Sequence, residues 1–415
     1  MNKPELLLPA GTPEALKTAF LYGADAVYAG VPGLSLRARS GFDEASLSEA
    51  VKYVHSIGKK IYLTLNLFSR NDDVPRLDGF AGTVRDLAPD GLIVSDPGVF
   101  VFMRERLPSV PLHVSTQANV GSWLTVGFWR DLGAKVCVLS RETPFKDIAA
   151  VKARFPDMKV EMFVHGSMCM SYSGRCLLSA FMTGRSANRG VCAHSCRWEY
   201  RLYAEERTRK GTFLPVEEDE RGTYVFNSKD LCLMPRLDRI LAAGIDILKV
   251  EGRNKTPYYV ASVARAYRKA IDDWFAAPDK WNPDPYQAEL NAVQNRGYTT
   301  GFFDGVPGAE AQNYETAASD APARNAGVVR ARRADGLELT LFHKVATGDT
   351  IFLLPPDGSD PVPVVLDSVI DGLTGETVSV LSPGKTGQSL FIPKSLLKSF
   401  SLDAFPEFTV ARKDI

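Results

Sequence analysis

Between residues 5 and 252, short apolar runs alternate with longer stretches whose apolar residues recur every three or four positions. The runs lie at 5–10, 26–30, 61–66, 91–96, 112–117, 136–140, 160–166 and 247–252. A brief run rich in Leu, Ile and Val reads as a strand buried on both faces, and the periodic stretch after it as an amphipathic helix. Eight strands, each followed by a helix, predict an α/β fold built as a closed (β/α)8, TIM-like barrel over residues 1–275. An open doubly wound sheet would show the same alternation. The count of eight, and the absence of a G-x-G-x-x-G turn after the first strand, favour the barrel.

The punctuation agrees with this reading. Thr12-Pro13, Asp96-Pro97, Thr143-Pro144 and Thr256-Pro257 each place a capping oxygen before a proline whose missing N–H costs nothing in a first helical turn. Gly23, Gly58, Gly133 and Gly244 stand where left-handed C-caps belong. One interval is longer than a βα unit needs: an insertion of about 167–232 follows the seventh strand. Residues 276–324, with several Pro and Asn, read as a connector with a short helix near 286–294. From 325 to 415 the pattern turns to alternation broken by Asp-Gly and Gly-Asp turns, which predicts a small all-β, barrel-like domain.

Composition narrows the function without naming it. Lys plus Arg number 49 and Asp plus Glu 49, with a pI near 7.0, so no global field points to nucleic acid or membrane. The start of the chain lacks a secretory apolar core, and no apolar run approaches the roughly 20 residues that span a bilayer. A soluble, cytoplasmic protein without a membrane partner is expected. In that reducing compartment clustered thiols serve metals or redox chemistry more often than structural disulfides.

Five of the six cysteines cluster in this way. Six residues separate Cys169 from Cys176, fifteen separate Cys176 from Cys192, and three separate Cys192 from Cys196; Cys232 follows at a distance. Four thiolates suit zinc or an iron–sulfur cluster by ligand type, and the uneven spacing, with one short pair, favours the cluster. Cys137, between Val136 and Val138, is expected in the core. The stretch Glu161-Met-Phe-Val-His165-Gly166-Ser167-Met-Cys169, continued by Gly174-Arg175-Cys176, closely resembles the motif of the collagenase-like peptidases of unassigned catalytic type. Asn188-Arg189-Gly190-Val191-Cys192, Asn227-Ser228-Lys229-Asp230-Leu231-Cys232 and Glu251-Gly252-Arg253 resemble further blocks of that family. The resemblance implies a [4Fe–4S] protein of oxygen-independent hydroxylation, acting on a tRNA wobble uridine, a ribosomal RNA cytidine or a ubiquinone precursor, with prephenate as hydroxyl source. Chain length and the β domain look most like the branch forming 5-hydroxyuridine in tRNA. Position by position it implies Cys169, Cys176, Cys192 and Cys232 as cluster ligands, with Cys196 the alternative to Cys232.

Strand ends supply the other candidates, because the loops after them build the active face of a barrel. Asn66, Gln117 and His165 end strands three, five and seven and are candidate catalytic groups. Arg37, Arg39, Lys249 and Arg253 are candidates to hold a small dianionic metabolite such as prephenate. Between Arg175 and Lys210 stand eight Lys or Arg against three Glu. Arg185, Arg189, Arg197, Trp198 and Arg201 are therefore candidate contacts to tRNA, combining charge with an aromatic surface for unpaired bases. Glu161, at the start of strand seven, is expected to be an internal polar anchor. A protease would need a nucleophile and base of its own. The chain has neither H-E-x-x-H nor G-x-S-x-G, so a collagenase-like protease stands as the cross-class alternative.

Overall fold

Each of the eight apolar runs forms a strand in the computed structural model: β1 (Glu5–Ala10), β2 (Ala26–Gly30), β3 (Lys60–Leu65), β4 (Gly91–Val94), β5 (Leu112–Val114), β6 (Val136–Val138), β7 (Lys159–Gly166) and β8 (Ile247–Val250). The structure describes residues 2–31, 35, 42–169, 171–198, 203–205, 208, 210–211, 213–215, 228–311, 322–384, 388–397 and 400–415. All eight strands pair in parallel, in chain order. β8 pairs with β1 (Leu6 with Leu248) and with β7 (Lys249 with Phe163), which closes the barrel. Helices α1 (Pro13–Leu21) to α6 (Phe145–Arg154) follow the first six strands. Thr12, Asp96 and Thr256 cap α1, α4 (Pro97–Arg106) and α9 (Pro257–Ala276) as expected. At α6 the cap is Pro144 itself, without a side-chain bond, while Thr143 pairs with Ser140. Gly23, Gly58, Gly133 and Gly244 all have positive φ, as left-handed caps require. Among the described residues no helix is long and apolar enough to cross a membrane.

Several strands stop two or three residues short of their apolar runs. β4, β5, β6 and β8 end at residues 94, 114, 138 and 250, where the chain leaves the strand ladder for the loops at the barrel mouth. Asp96 thus becomes a helix cap, and Gln117 enters a short turn, Thr116–Ala118.

Within the predicted insertion, the described parts after β7 are short turns, one helix α7 (Leu178–Thr183) and a hairpin of Tyr203–Glu205 with Phe213–Pro215. The sequence reads 198–203 as a basic, strand-like piece and 217–221 as an acidic turn, and both fall largely outside the described residues. A short strand, Asp230–Cys232, then adds antiparallel to the end of β7, pairing Cys232 with His165, and Tyr298–Thr299 extends that edge. The periodic stretch 234–243 reads as a helix and forms α8 (Leu237–Ala242) behind a turn, and the connector helix is α10 (Asp284–Asn291).

The C-terminal domain is an antiparallel sheet of eight strands with its own apolar core, including Leu339, Ile351, Val364 and Ile392. It docks on α1 and α9. The buried Tyr22 hydroxyl donates to the Leu354 carbonyl (2.7 Å) and accepts from the Val410 amide (3.0 Å). Arg265 of α9 donates to the Pro355 carbonyl (3.1 Å), and Val328, Leu354 and Val410 join the barrel core.

Candidate functional site

The strand ends surround a cavity of about 620 Å³ at the barrel mouth. Its floor comes from residues that the barrel turns inward. Tyr28 of β2, Ile93 of β4, Phe163 of β7 and Lys249 of β8 line it, and Asn66, Ser115 and Gln117 follow β3 and β5. The Gln117 Oε1 atom accepts from Ser115 Oγ (2.6 Å), Ser95 Oγ (3.2 Å) and Asn66 Nδ2 (3.2 Å). The structure therefore joins two of the expected catalytic amides in one buried network, which fixes their orientation. Arg253 also reaches the cavity, donating to Ser35 Oγ (2.6 Å) and Thr64 Oγ1 (2.8 Å).

The same cavity carries thiols. Cys169, Cys176, Cys192 and Cys196 all line this cavity. Gly166 begins their loop with φ +114, and a Cβ there would meet the Glu251 carbonyl oxygen at 2.5 Å, so only glycine lets the chain leave β7 this way. Side chains then hold the turns by their backbone. Glu142 accepts from Ser173 N (2.7 Å) and Oγ (2.6 Å), Asn188 Oδ1 from Cys176 N (3.1 Å), and Ser179 Oγ from Ala193 N (2.8 Å). Burial, together with the neighbouring thiols, pushes the Cys169 and Cys196 thiols above their ordinary range.

Cys232 lies elsewhere. It is 2% exposed, outside the cavity lining, with Sγ 3.3 Å from Gln287 Oε1 and 4.0 Å from the Tyr267 hydroxyl; burial pushes its thiol up to about 11. Of the set implied by resemblance, the structure brings Cys169, Cys176 and Cys192 together with Cys196. Cys232 faces away because the strand that carries it runs antiparallel along the end of β7, toward α9. Among the described residues no three His, Cys, Asp or Glu groups converge as ligands of one ion would. Thiolates around a single zinc stand ~2.3 Å from the metal.

Other candidates take different positions. His165 is buried among Tyr259, Tyr267 and Tyr298, with ring centroids 5.3 to 6.0 Å away, and does not line the cavity. A register shift between Lys249 and Val250 accompanies its displacement, and burial lowers its pKa to about 3, so the ring is neutral. Lys249 lines the cavity and is paired with Glu161, Nζ to Oε1 at 2.5 Å. Arg189 donates to both carboxylate oxygens of Asp73 (2.6 and 3.2 Å). Arg197 donates to the Met168 carbonyl (3.1 Å), and Arg185 to the Cys192 carbonyl (3.4 Å). Trp198 is exposed, as are Phe181 and Leu177 of the α7 segment. Arg37, Arg39 and Arg201 lie outside the described residues.

Sequence reasoning missed Arg141, Glu142 and Ser173. Arg141 lines the cavity with its guanidinium 4.0 Å from the Phe163 ring centroid. The signal was available: Arg141 and Glu142 follow strand six as Asn66 follows strand three, and the strand-end rule applied evenly would have picked them out.

The peptidase family U32 model matches residues 11–313. The tRNA hydroxylation protein P of Escherichia coli (strain K12) is 37% identical over 399 residues, covering 86% of this chain and 88% of that protein. The tRNA hydroxylation protein P1 of Bacillus subtilis (strain 168) is 39% identical, covering 75% and 74%. A collagenase of Porphyromonas gingivalis (strain ATCC BAA-308 / W83) is 30% identical, covering 74% of both. A match over most of the length, at these identities and with the barrel and cysteine wall in place, makes this chain a member of peptidase family U32.

Proposed function

We propose that this chain is a tRNA-modifying enzyme that forms 5-hydroxyuridine at the wobble position without molecular oxygen, with an iron–sulfur cluster at the barrel mouth and prephenate as hydroxyl source. The observation that carries the reading is the shared cavity: four thiols and a fixed polar network line it together, in a chain similar over most of its length to tRNA hydroxylation proteins. Cys169, Cys176, Cys192 and Cys196 would hold a [4Fe–4S] group, which when bound supplies one-electron redox chemistry. The Asn66–Gln117–Ser115 network offers an oriented amide to a substrate. Arg253 and Arg141 present guanidinium groups to a carboxylate. Arg185, Arg197 and Trp198 give charge and a stacking face to an unpaired base.

Nucleoside mass spectrometry of tRNA from a deletion strain tests the reaction. Loss of 5-hydroxyuridine derivatives is expected; unchanged tRNA would overturn it, and loss of 5-hydroxycytidine from ribosomal RNA or failed anaerobic quinone synthesis would name the replacement. Iron content tests the donors. Cys196→Ala should lose iron and Cys232→Ala retain it, and the reverse result would return the fourth position to Cys232.

A further inference from the structure

The interior of a parallel barrel is ordinarily filled by layers of branched apolar side chains. Leu7, Ile93, Val136 and Ile247 do so here. Yet Glu161, Lys249 and His113 occupy the same interior, all buried. Glu161 Oε1 accepts from Lys249 Nζ, and Glu161 Oε2 lies 3.9 Å from His113 Nδ1; neither of those last two atoms has a hydrogen-bond partner. A buried ion pair is no more stabilising than well-packed apolar residues of the same volume, so stability does not explain this one.

Position suggests a use. Lys249 lines the mouth cavity, with Nζ 4.5 Å from the Tyr28 ring centroid and 5.4 Å from that of Phe163. Arg253 faces the first of these rings and Arg141 the second. A lysine desolvated by aromatic walls and flanked by other cations is a stronger nucleophile than one in water. Burial lowers the Lys249 pKa and raises that of Glu161, which moves the pair toward amine and carboxylic acid.

We propose that Lys249 is a nucleophilic amine that condenses with the carbonyl of a small 2-oxo carboxylate bound in the mouth cavity. Arg253 and Arg141 receive the carboxylate, and the carbonyl carbon meets Nζ. The nitrogen lone pair forms a C–N bond as the carbonyl π electrons move to oxygen, and one of the two nitrogen protons passes to that oxygen to give a hydroxyl. Glu161 protonates the resulting hydroxyl, the C–O bond breaks, and water leaves. The nitrogen lone pair closes the C=N bond as water departs, the nitrogen returns its remaining proton to the Glu161 carboxylate, and C=N replaces C=O with no change of oxidation state. His113, on the far side of Glu161, is placed to exchange the proton that the carboxyl group gives and recovers.

The test is reductive trapping on the full chain. The protein is incubated with pyruvate, and separately with phenylpyruvate, treated with sodium borohydride, and examined by intact and peptide mass spectrometry. One reduced adduct mapped to Lys249 is expected, with none from lactate, which has no carbonyl to condense. Lys249→Arg should abolish the adduct, and Glu161→Gln should slow its formation by at least about tenfold while leaving the amine in place. Absence of an adduct, or labelling spread over exposed lysines such as Lys52, would overturn the proposal. The wild-type peptide map decides this even if a variant fails to fold. The assay contains neither iron nor RNA, so its failure is separate from failure of the tRNA reading.

Discussion

Removing Arg189 separates a staple from an RNA contact. Asp73 is 3% exposed and receives both Arg189 Nη atoms, at 2.6 and 3.2 Å, plus the Arg70 amide at 2.8 Å. In Arg189→Ala the carboxylate keeps the amide and loses its counter-charge. Breaking a fully buried pair costs about 3–5 kcal/mol. The Arg189 side chain is 29% exposed, so water can reach the vacated space, and about 2 kcal/mol is the better figure. The pair ties the 187–189 turn to the start of α3 (Val74–Leu87), so the cost falls on the rim. Hydrogen exchange over residues 187–198 should speed by roughly 30-fold, since each 1.4 kcal/mol is a factor of ten. The salt dependence of RNA binding should keep its slope, because no phosphate contact is lost. Unchanged exchange, with a slope shallower by about 0.7, would refute this and make Arg189 a phosphate contact. Arg189 holds the Asp73 carboxyl below its ordinary pKa, so the staple acts fully above the unfolded value of about 3.9 and is lost as pH falls through the lower folded value.

Three further perturbations follow from the buried groups. Tyr22→Phe leaves the Leu354 carbonyl and Val410 amide without their hydroxyl partner, and should cost about 2–4 kcal/mol in urea unfolding; a change under ~0.5 kcal/mol would show that the domain contact rests on apolar packing alone. Burial lowers His165 to about 3 against 6.5, so the unfolded chain binds more protons between those values and stability falls as pH drops below 6.5; His165→Phe should flatten that part of the acid-unfolding curve. The Cys137 thiol, fully buried and pushed up to about 12, should resist iodoacetamide in the native protein while the cavity cysteines react, and early labelling at Cys137 would contradict its core position.

What the sequence revealed follows from the range of each force. Strands, helices and caps are local: Thr12 reaches Ala15 N, Asp96 reaches Val99 N, and the apolar period repeats within a few residues. Barrel closure was legible because eight such units leave few ways to bury every strand. The partner of Arg189 was not, since Asp73 lies 116 residues away and nothing in either neighbourhood names the other. Cys196 and Cys232 pose the same difficulty. Spacing counts residues, but which thiol meets the cavity depends on a strand that reverses direction beside β7. His165 sits on the strand where alternation points it inward, and a register shift placed it among three tyrosines instead.

The Tyr22 contact also bears on how a closed barrel comes apart. A cylinder of strands made from one chain has a single joint where its first and last strands meet, here β1 against β8. α1 follows β1 and α9 follows β8, so the two helices flank that joint, and the C-terminal sheet is fastened to both. It works as a clasp across the seam. Loss of the sheet should let the barrel unzip between β1 and β8, and the cavity would fail from its Arg253 side while the cysteine wall, anchored at β7, still held.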